Sequence, residues 1–170
     1  MTTAVILGID PGKLGALAAI SVTGELMWVE DMPTAAKEVS AALLAVMLRE
    51  LGLHSIIIAA AVEEVSAHPV TGSIGNFKLG QAHGKLLGVV ATLGVPVLRP
   101  SPSSWKRAMH LSADKDVSRR LAIDTWPTWA PSFALKKHDG RAEAAILALW
   151  ALRSGNYATP APELVEVPPW

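Results

Sequence analysis

The chain has no cysteine, only one tyrosine and two phenylalanines, and no net charge of either sign. The absence of cysteine excludes disulfide bonds and thiolate metal sites and agrees with a reducing compartment. The longest apolar runs, at 41–48, 56–62 and 144–152, are far shorter than the roughly 18 to 20 residues that cross a bilayer. No basic flank precedes an apolar stretch at the amino terminus, so we expect no secretory signal, no membrane partner and a cytoplasmic location.

The length of the chain predicts one domain. It has 170 residues, and a typical domain has roughly 150. Hydrophobic residues make up 51% of the chain, which excludes disorder and can fill a single core. We therefore expect one folded domain over residues 1–155, followed by an extended Pro-rich tail over 156–170.

Positive and negative charges occupy different parts of the chain. Residues 1–77 hold three Lys/Arg and eight Asp/Glu, residues 78–153 hold twelve and five, and residues 154–170 hold none and two. A basic second half joined to an acidic first half suits a protein that binds a polyanion with one surface and cations with another. An ordinary solvated surface is the alternative interpretation.

Hydrophobic patterning predicts an α/β fold without internal repeats. Continuous apolar stretches are typical of strands buried on both faces, and spacings of three and four are typical of amphipathic helices. Strands are predicted at 4–9, 14–22, 25–29, 55–65 and 95–98. Helices are predicted at 39–51, at 77–93, from near Pro102, after Ser112 and at 142–153. The loop at 66–75 is rich in small and polar residues, so we expect it to be flexible and to become ordered on a ligand.

Acidic residues stand at the ends of three of these elements. Asp10 follows the first strand, and Glu63 with Glu64 ends the fourth. Asp139 and Glu143 open the last helix, four residues apart and therefore on one helical face. Several carboxylates without neighbouring bases predict a hard divalent cation such as Mg²⁺. Two such ions would activate a water and stabilise the leaving oxygen in phosphodiester hydrolysis.

Each acidic site also has an ordinary structural interpretation. The Asp-Pro-Gly sequence at 10–12 is typical of a turn. Successive strand residues face opposite sides, so only one of Glu63 and Glu64 can face the site, and we favour Glu63. Asp139 could be a helix N-cap, with Glu143 favoured by the helix dipole. The combination of sites outweighs these separate interpretations.

Four short blocks follow one another in the chain: GIDPG at 8–12, AVEEV at 61–65, KLGQAHG at 78–84 and DGRAEA at 139–144. Together they resemble the RuvC family of Holliday-junction resolvases, most closely its phage-encoded branch, over residues 5–152. The resemblance implies an RNase H-like α/β fold, with a five-stranded mixed sheet flanked by helices, and a homodimer. It also implies two Mg²⁺ or Mn²⁺ ions per active site, with Asp10, Glu63, Asp139 and Glu143 as the catalytic metal ligands.

The activity implied by the resemblance is that of a crossover junction endodeoxyribonuclease. Such an enzyme nicks symmetric strands of four-way (Holliday) and related branched DNA junctions by hydrolysing phosphodiester bonds. A non-catalytic junction-binding protein is the alternative from another class. An actin-like or sugar-kinase ATPase is a further rival, but that family needs two lobes and a second Asp-Gly phosphate loop, which this sequence lacks.

The chain departs from the bacterial members of the family at two places. They commonly carry Asp at the position of Glu143 and Asp or His three residues earlier, where this chain has Gly140. Asp139 is therefore our preferred fourth ligand, and His138 is the alternative. Bacterial members also tend to have a base-separating aromatic residue where this chain has Ser66. Phe77 is either its replacement or a core residue.

Side chains in the second half are the candidates for DNA contacts, which set affinity more than sequence choice. They are Lys78, Gln81, Lys85, Lys106, Arg107, Lys115, Arg119, Arg120, Lys136, Lys137 and Arg141. The helix at 77–93 is a candidate dimer interface, although its Leu86, Leu87, Val90 and Leu93 could instead pack on the sheet. The six tryptophans are interpreted as core or dimer contacts rather than base-stacking platforms.

Overall fold

The computed structural model describes residues 2–67, 69–112 and 114–157 and has a mixed β-sheet between two layers of helices. The strands are β1 (Thr3–Asp10), β2 (Ala16–Ser21), β3 (Leu26–Asp31), β4 (Thr34–Ala35), β5 (Glu38–Val39), β6 (Ser55–Val62) and β7 (Val97–Leu98). The helices are α1 (Ala41–His54), α2 (Gly72–Ala91), α3 (Pro102–Ala108), α4 (Lys115–Thr125), α5 (Ala130–Phe133) and α6 (Asp139–Ser154). The predicted α/β class with a five-stranded mixed sheet is confirmed.

The main sheet has the strand order β3-β2-β1-β6-β7. The first three strands form an antiparallel meander, while β1, β6 and β7 run parallel. Because β1 and β6 are parallel neighbours, Asp10 and Glu63 come at the same edge of the sheet, and the Glu63 N–H donates to the Ile9 carbonyl at 3.1 Å. Ala16 pairs with both Asp10 and Asp31, so β3 also ends there. We call this the carboxyl edge, marked by Asp10, Asp31 and Glu63.

Alternation along β1 assigns its side chains to the two helical layers. Val5, Leu7 and Ile9 pack with buried residues of α1 and α2, whereas Ile6 packs with α6. Gly8 and Asp10 share the α6 side with Ile6, since side chains two residues apart face the same way. The carboxylate of Asp10 therefore belongs to the α6 face of the sheet.

Helix α6 approaches β1 unusually closely because Gly8 has no side chain. A Cβ at Gly8 would lie 2.1 Å from the Ala144 carbonyl oxygen and 2.6 Å from the Ala148 nitrogen. The helix is rich in alanine and is buried over most of its length, so its backbone can lie directly on the strand. This contact fixes the amino terminus of α6 at the carboxyl edge.

Side-chain caps explain where several helices begin and end. The Ser40 hydroxyl accepts the Leu43 N–H at the start of α1, and the Asp114 carboxylate accepts the Asp116 N–H at 2.9 Å at the start of α4. Helix α6 ends at Gly155, whose φ of 65° is left-handed and suits glycine.

Several predicted boundaries are wrong. Strand β2 begins at Ala16 rather than at Leu14, which is 81% exposed, and β6 ends at Val62. Helix α2 begins at Gly72, so the predicted loop at 66–75 is shorter and partly helical. The hairpin of β4 and β5 was not predicted, because strands of two residues carry no periodic signal.

The outcome for the remaining predictions on the fold is mixed. Leu86 and Val90 of α2 are buried against the sheet, so the proposed dimer interface cannot include them. Of the Pro-rich tail predicted over 156–170, residues 158–170 lie outside the described residues. No helix within the described ranges combines the length and the apolarity that a membrane span requires.

Candidate active site at the carboxyl edge of the sheet

Asp10 lies where the end of β1 meets the first turn of α6. A Cβ at Gly140 would lie 3.1 Å from the Asp10 Oδ2 and 2.7 Å from the Leu14 carbonyl oxygen, so only glycine lets the helix begin against this carboxylate. Burial raises the pKa of Asp10 well above its usual range, and the carboxylates of Glu143 and Glu63 raise it further. Asp10 is therefore a carboxylate placed among other carboxylates, away from water.

Glu63 is held in place by a buried tryptophan. The Trp105 Nε1–H donates to the Glu63 Oε2 at 2.7 Å, and Trp105 is completely buried. Burial raises the pKa of Glu63, while the hydrogen bond from Trp105 lowers it. Glu64 is engaged elsewhere, since its Oε1 accepts from Arg99 at 2.8 Å. Of the two neighbouring glutamates, Glu63 is the one that acts electrostatically on Asp10.

Glu143 approaches from α6 and is paired with a lysine of α3. The Lys106 Nζ donates to the Glu143 Oε1 at 2.9 Å, and both side chains are largely buried. The same ammonium lies 5.3 Å from the centre of the Trp105 ring, where a cation is attracted to the aromatic face. Trp105 thus orients both a carboxylate and a cation of the site.

Asp139 forms an ion pair with Lys115 at the start of α4. The hydrogen bond to Asp139 raises the pKa of Lys115, and the carboxylates of Glu143 and Asp10 also raise it. Lys115 therefore lies within electrostatic range of Asp139, Glu143 and Asp10. Unlike Glu63 and Glu143, Asp139 is not among the main charges acting on Asp10.

His138 has a different environment from its neighbour Asp139. It is buried, and its Nδ1 accepts the Leu135 N–H at 3.4 Å. Burial, Arg141 and Lys137 lower its pKa. The charges near His138 are therefore those of Arg141, Lys137 and Asp31, rather than the carboxylates around Asp10.

The charge and chemistry of the cluster fit a divalent cation. Four carboxylates and two lysines meet here, so the groups carry a formal charge of −2 when all are ionised. Oxygen is the ligand that Mg²⁺ and Mn²⁺ prefer. As the side chains stand, no three acidic or histidine residues within 2–67, 69–112 and 114–157 are arranged to hold an ion. One oxygen of Glu143 accepts from Lys106 and one oxygen of Asp139 accepts from Lys115.

The candidates for DNA contacts fall into four groups. Lys78, Gln81 and Lys85 line a groove of about 600 Å³ beside α2. Lys106 and Lys115 lie among the carboxylates. Arg107, Arg120, Lys136 and Lys137 form a third group, and all four are exposed.

Arg119 and Arg141 are occupied by contacts within the chain. Arg119 donates to Asp116 and to the Ala134 carbonyl at 3.1 Å. Arg141 makes two hydrogen bonds to Asp31, of 2.6 and 2.8 Å, which tie α6 to the end of β3. These contacts hold helices in place in the described structure, and DNA contacts by the two arginines stay a prediction.

Sequence reasoning missed two contributors to the site. Trp105 was interpreted as a core or dimer contact, and it is a core residue, but nothing in the sequence indicates that its indole reaches Glu63. Asp31 ends β3 as Asp10 ends β1, so the same strand-end signal could have identified it. Phe77 is 67% exposed, and the interpretation of this residue as core is wrong. Its role as a wedge between bases stays a prediction.

Comparison with solved structures identifies the fold. RuvC of T. thermophilus in complex with a Holliday junction substrate matches with a TM-score of 0.66 and 23% identity over 93% of this chain and 99% of that chain. A second Thermus thermophilus RuvC structure gives 0.61 and 23% over 89% and 96%. The yeast mitochondrial Holliday junction resolvase Ydc2 gives 0.53 and 16% over 89% and 79%. The chain therefore has the RNase H-like fold of the RuvC resolvases, as predicted.

One similar protein was found by sequence. The chloroplastic Holliday junction resolvase MOC1 of Chlamydomonas reinhardtii is 33% identical over 86 residues. The matching part is 49% of this chain and 10% of that protein, so this chain spans about a tenth of the relative's length. No family model matches the chain.

Proposed function

We propose that this protein is a metal-dependent, structure-selective endonuclease that nicks symmetric strands of four-way and related branched DNA junctions. The observation that carries the proposal is the convergence of Asp10, Glu63 and Glu143, from three separate elements, on one end of the sheet. The junction resolvases with a similar fold, and the resolvase found by sequence, support the choice of substrate.

The carboxylates would hold two ions of Mg²⁺ or Mn²⁺ per site, with Asp10, Glu63, Glu143 and Asp139 as ligands. Bound ions of this kind polarise a phosphate and lower the pKa of an attacking water. The raised pKa of Asp10 supports this assignment, because buried carboxylates that repel one another gain most from a cation. Trp105 orients Glu63 through the hydrogen bond from its Nε1–H.

Lys106 and Lys115 neutralise carboxylates of the site and could bind the phosphate of the substrate instead. Each is bonded to a carboxylate of the site. If Glu143 and Asp139 held a cation, both ammonium groups would be free to donate to the oxygens of the scissile phosphate. Charged donors in such a position stabilise the negative charge that develops on the phosphate during hydrolysis.

A homodimer follows from the proposed substrate. Two opposed strands must be cut, and a two-fold assembly supplies two equivalent sites. Assignment to the phage-encoded branch and a cytoplasmic location, in the host cell if the chain is phage-encoded, also stay predictions.

The test is an isosteric substitution at Asp10. In Mg²⁺, Asp10→Asn should abolish nicking of a labelled four-way DNA, because it removes one charge from the metal site and almost no volume. Binding measured in EDTA should stay close to that of the unmodified protein. Asp124→Asn, at an exposed position of α4, is the matched control and should cut normally.

The same experiment separates the two classes of function. Binding without nicking by the unmodified protein, in EDTA and in Mg²⁺ alike, would support a non-catalytic junction-binding protein. Normal nicking by Asp10→Asn would contradict the assignment of the site.

A further inference from the structure

A second cationic region lies at the carboxyl edge, on the side of the sheet opposite Lys106 and Lys115. It is the groove of about 600 Å³ noted above, and its walls are the turn after Asp10, the β4–β5 hairpin and the part of α2 between Gly75 and Lys85. We call it the hairpin groove. Lysines from all three walls line it: Lys13, Lys37, Lys78 and Lys85.

The charge of the hairpin groove is strongly positive. Glu38 is the one acidic residue among its lining residues, all of which are described. Its carboxylate lies 3.4 Å from the Lys85 Nζ, and both side chains are well exposed, so this pair is weak. Three lysines remain without a carboxylate in the groove lining, which favours an anion with several separated charges.

The tip of the hairpin holds two residues in an unfavourable backbone conformation. Ala36 and Lys37 have φ angles of 50° and 65°, as a two-residue turn between the paired β4 and β5 requires. Glycine or asparagine is the usual residue there, and a side chain costs about 1 kcal/mol or more in this region. A lysine occupies a position where glycine would fit with less strain, and it lines the groove.

The groove reaches the turn that follows Asp10. Gly12 and Lys13 line it, and they follow Asp10 by two and three residues. Helix α2 follows β6 and Glu63 through the segment at 63–71. Cations thus flank the carboxylates on both sides of the sheet, with Lys106 and Lys115 on one side and the hairpin groove on the other.

We propose that the β4–β5 hairpin and the start of α2 form a clamp for the phosphodiester backbone of a DNA arm, in which Lys37 and Lys13 are phosphate contacts. The inference rests on the proposed function, because the clamp leads to the site where the strand would be cut. It adds the hairpin, which neither the sequence motifs nor the carboxylate site includes, as a determinant of affinity.

The test compares two neighbouring glycine substitutions. Lys37→Gly removes a charge and relieves backbone strain, whereas Ala36→Gly relieves strain at the adjacent position and keeps the charge. Binding of each variant to a labelled four-way DNA is measured in EDTA over a series of KCl concentrations. One lost phosphate contact lowers the steepness of the plot of log affinity against log salt by about 0.9. If the variant and the unmodified protein bind equally at about 1 M salt, the variant then binds about eightfold more weakly at about 0.1 M salt.

Lys37→Gly should show this loss of affinity and slope, and Ala36→Gly should bind like the unmodified protein. Both should keep or raise the melting temperature, because left-handed positions accept glycine without a penalty. Lys37→Arg should restore binding, since it restores the charge. Unchanged binding by Lys37→Gly, or an equal loss in Ala36→Gly, would overturn the clamp.

A linear duplex separates failure of the clamp from failure of the proposed function. The clamp contacts the backbone, so Lys37→Gly should also weaken the lower-affinity binding of a linear duplex. If the unmodified protein does not nick junctions but Lys37→Gly still lowers the salt slope on both DNAs, the clamp stands and the nuclease proposal fails. If junctions are nicked but Lys37→Gly binds normally, the nuclease proposal stands and the clamp fails.

Discussion

The hydrogen bond from Trp105 to Glu63 connects the core to the candidate site through a single atom pair. Trp105→Phe keeps an aromatic ring and removes the donor. We expect the free energy of unfolding to fall by about 1.5 to 3 kcal/mol, the usual range for a hydrogen bond to a charged group. We also expect half-maximal nicking to need more Mg²⁺, because Glu63 loses the contact that orients it. Urea denaturation and a Mg²⁺ titration measure the two effects.

Trp126 provides the matched control for this prediction. Its Nε1–H donates to the Gly24 carbonyl at 2.8 Å, and the residue is buried away from the carboxylates. Trp126→Phe should therefore lower stability without changing the Mg²⁺ requirement. An identical Mg²⁺ requirement in both variants would show that Trp105 only fills the core.

At the residue scale the sequence was most informative where a charge ends an apolar strand. Asp10 and Glu63 could be placed because parallel strands bring their carboxyl ends to one edge. The hydrogen-bond partners of the carboxylates could not be placed in this way. Trp105 lies 42 residues from Glu63 in the chain, and Lys106 lies 37 residues from Glu143. No local pattern encodes such a contact.

The packing of α6 on β1 is the contact between elements on which the site depends. Gly8→Ala would place a methyl group 2.1 Å from a backbone oxygen of α6, so the helix must move away. We expect a loss of about 3 kcal/mol or more in the free energy of unfolding, or failure to fold, because neither backbone can yield cheaply. Thermal and urea unfolding measure it.

Gly52→Ala is the control for this prediction. Gly52 lies in α1, and a Cβ there would meet no atom within 4 Å. Alanine favours the helix, so this variant should be more stable by about 0.5 to 1 kcal/mol. If Gly8→Ala proved as harmless as Gly52→Ala, the close approach of α6 to β1 would be wrong.

At the element scale, long strands and helices were predicted from periodicity, whereas their exact ends and the short hairpin were not. Helix α2 begins at Gly72, earlier than the predicted residue 77, in a stretch of small residues that lacks an apolar face. The β4–β5 hairpin is supported by pairing of only four residues. Such elements form because of the tertiary structure around them, so propensity alone does not reveal them.

The change of the free energy of unfolding with pH is a property of the whole molecule. We expect one histidine, His83, to make a measurable contribution to it. His83 is buried on α2, and neither ring nitrogen has a hydrogen-bond partner within the described structure. Burial lowers its pKa, so the unfolded chain binds the proton more readily than the folded one. Its contribution to stability is therefore present above about pH 6.5 and is lost as the pH falls below that value.

His83→Leu removes this titration and should make the protein less sensitive to mild acid. Urea denaturation at a series of pH values from about 7.5 down to about 5.5 gives the free energy of unfolding of the variant and of the unmodified protein. The quantity compared is the difference between the two at each pH. His54→Leu, at an exposed position of α1, controls for the substitution itself. A difference that stays constant with pH would contradict the burial of a neutral His83.

Sequence patterning was enough to predict the α/β class, the carboxylates near the ends of two strands, and the separation of acidic and basic halves. These properties follow from periodicity and composition, which are local. The pairing of lysines with carboxylates and the hydrogen bond from Trp105 to Glu63 are visible only in the folded structure. The same is true of the packing of α6 on Gly8 and of the lysine-lined groove between the hairpin and α2. These contacts join residues distant in the chain, and their geometry is set by how the layers pack on the sheet.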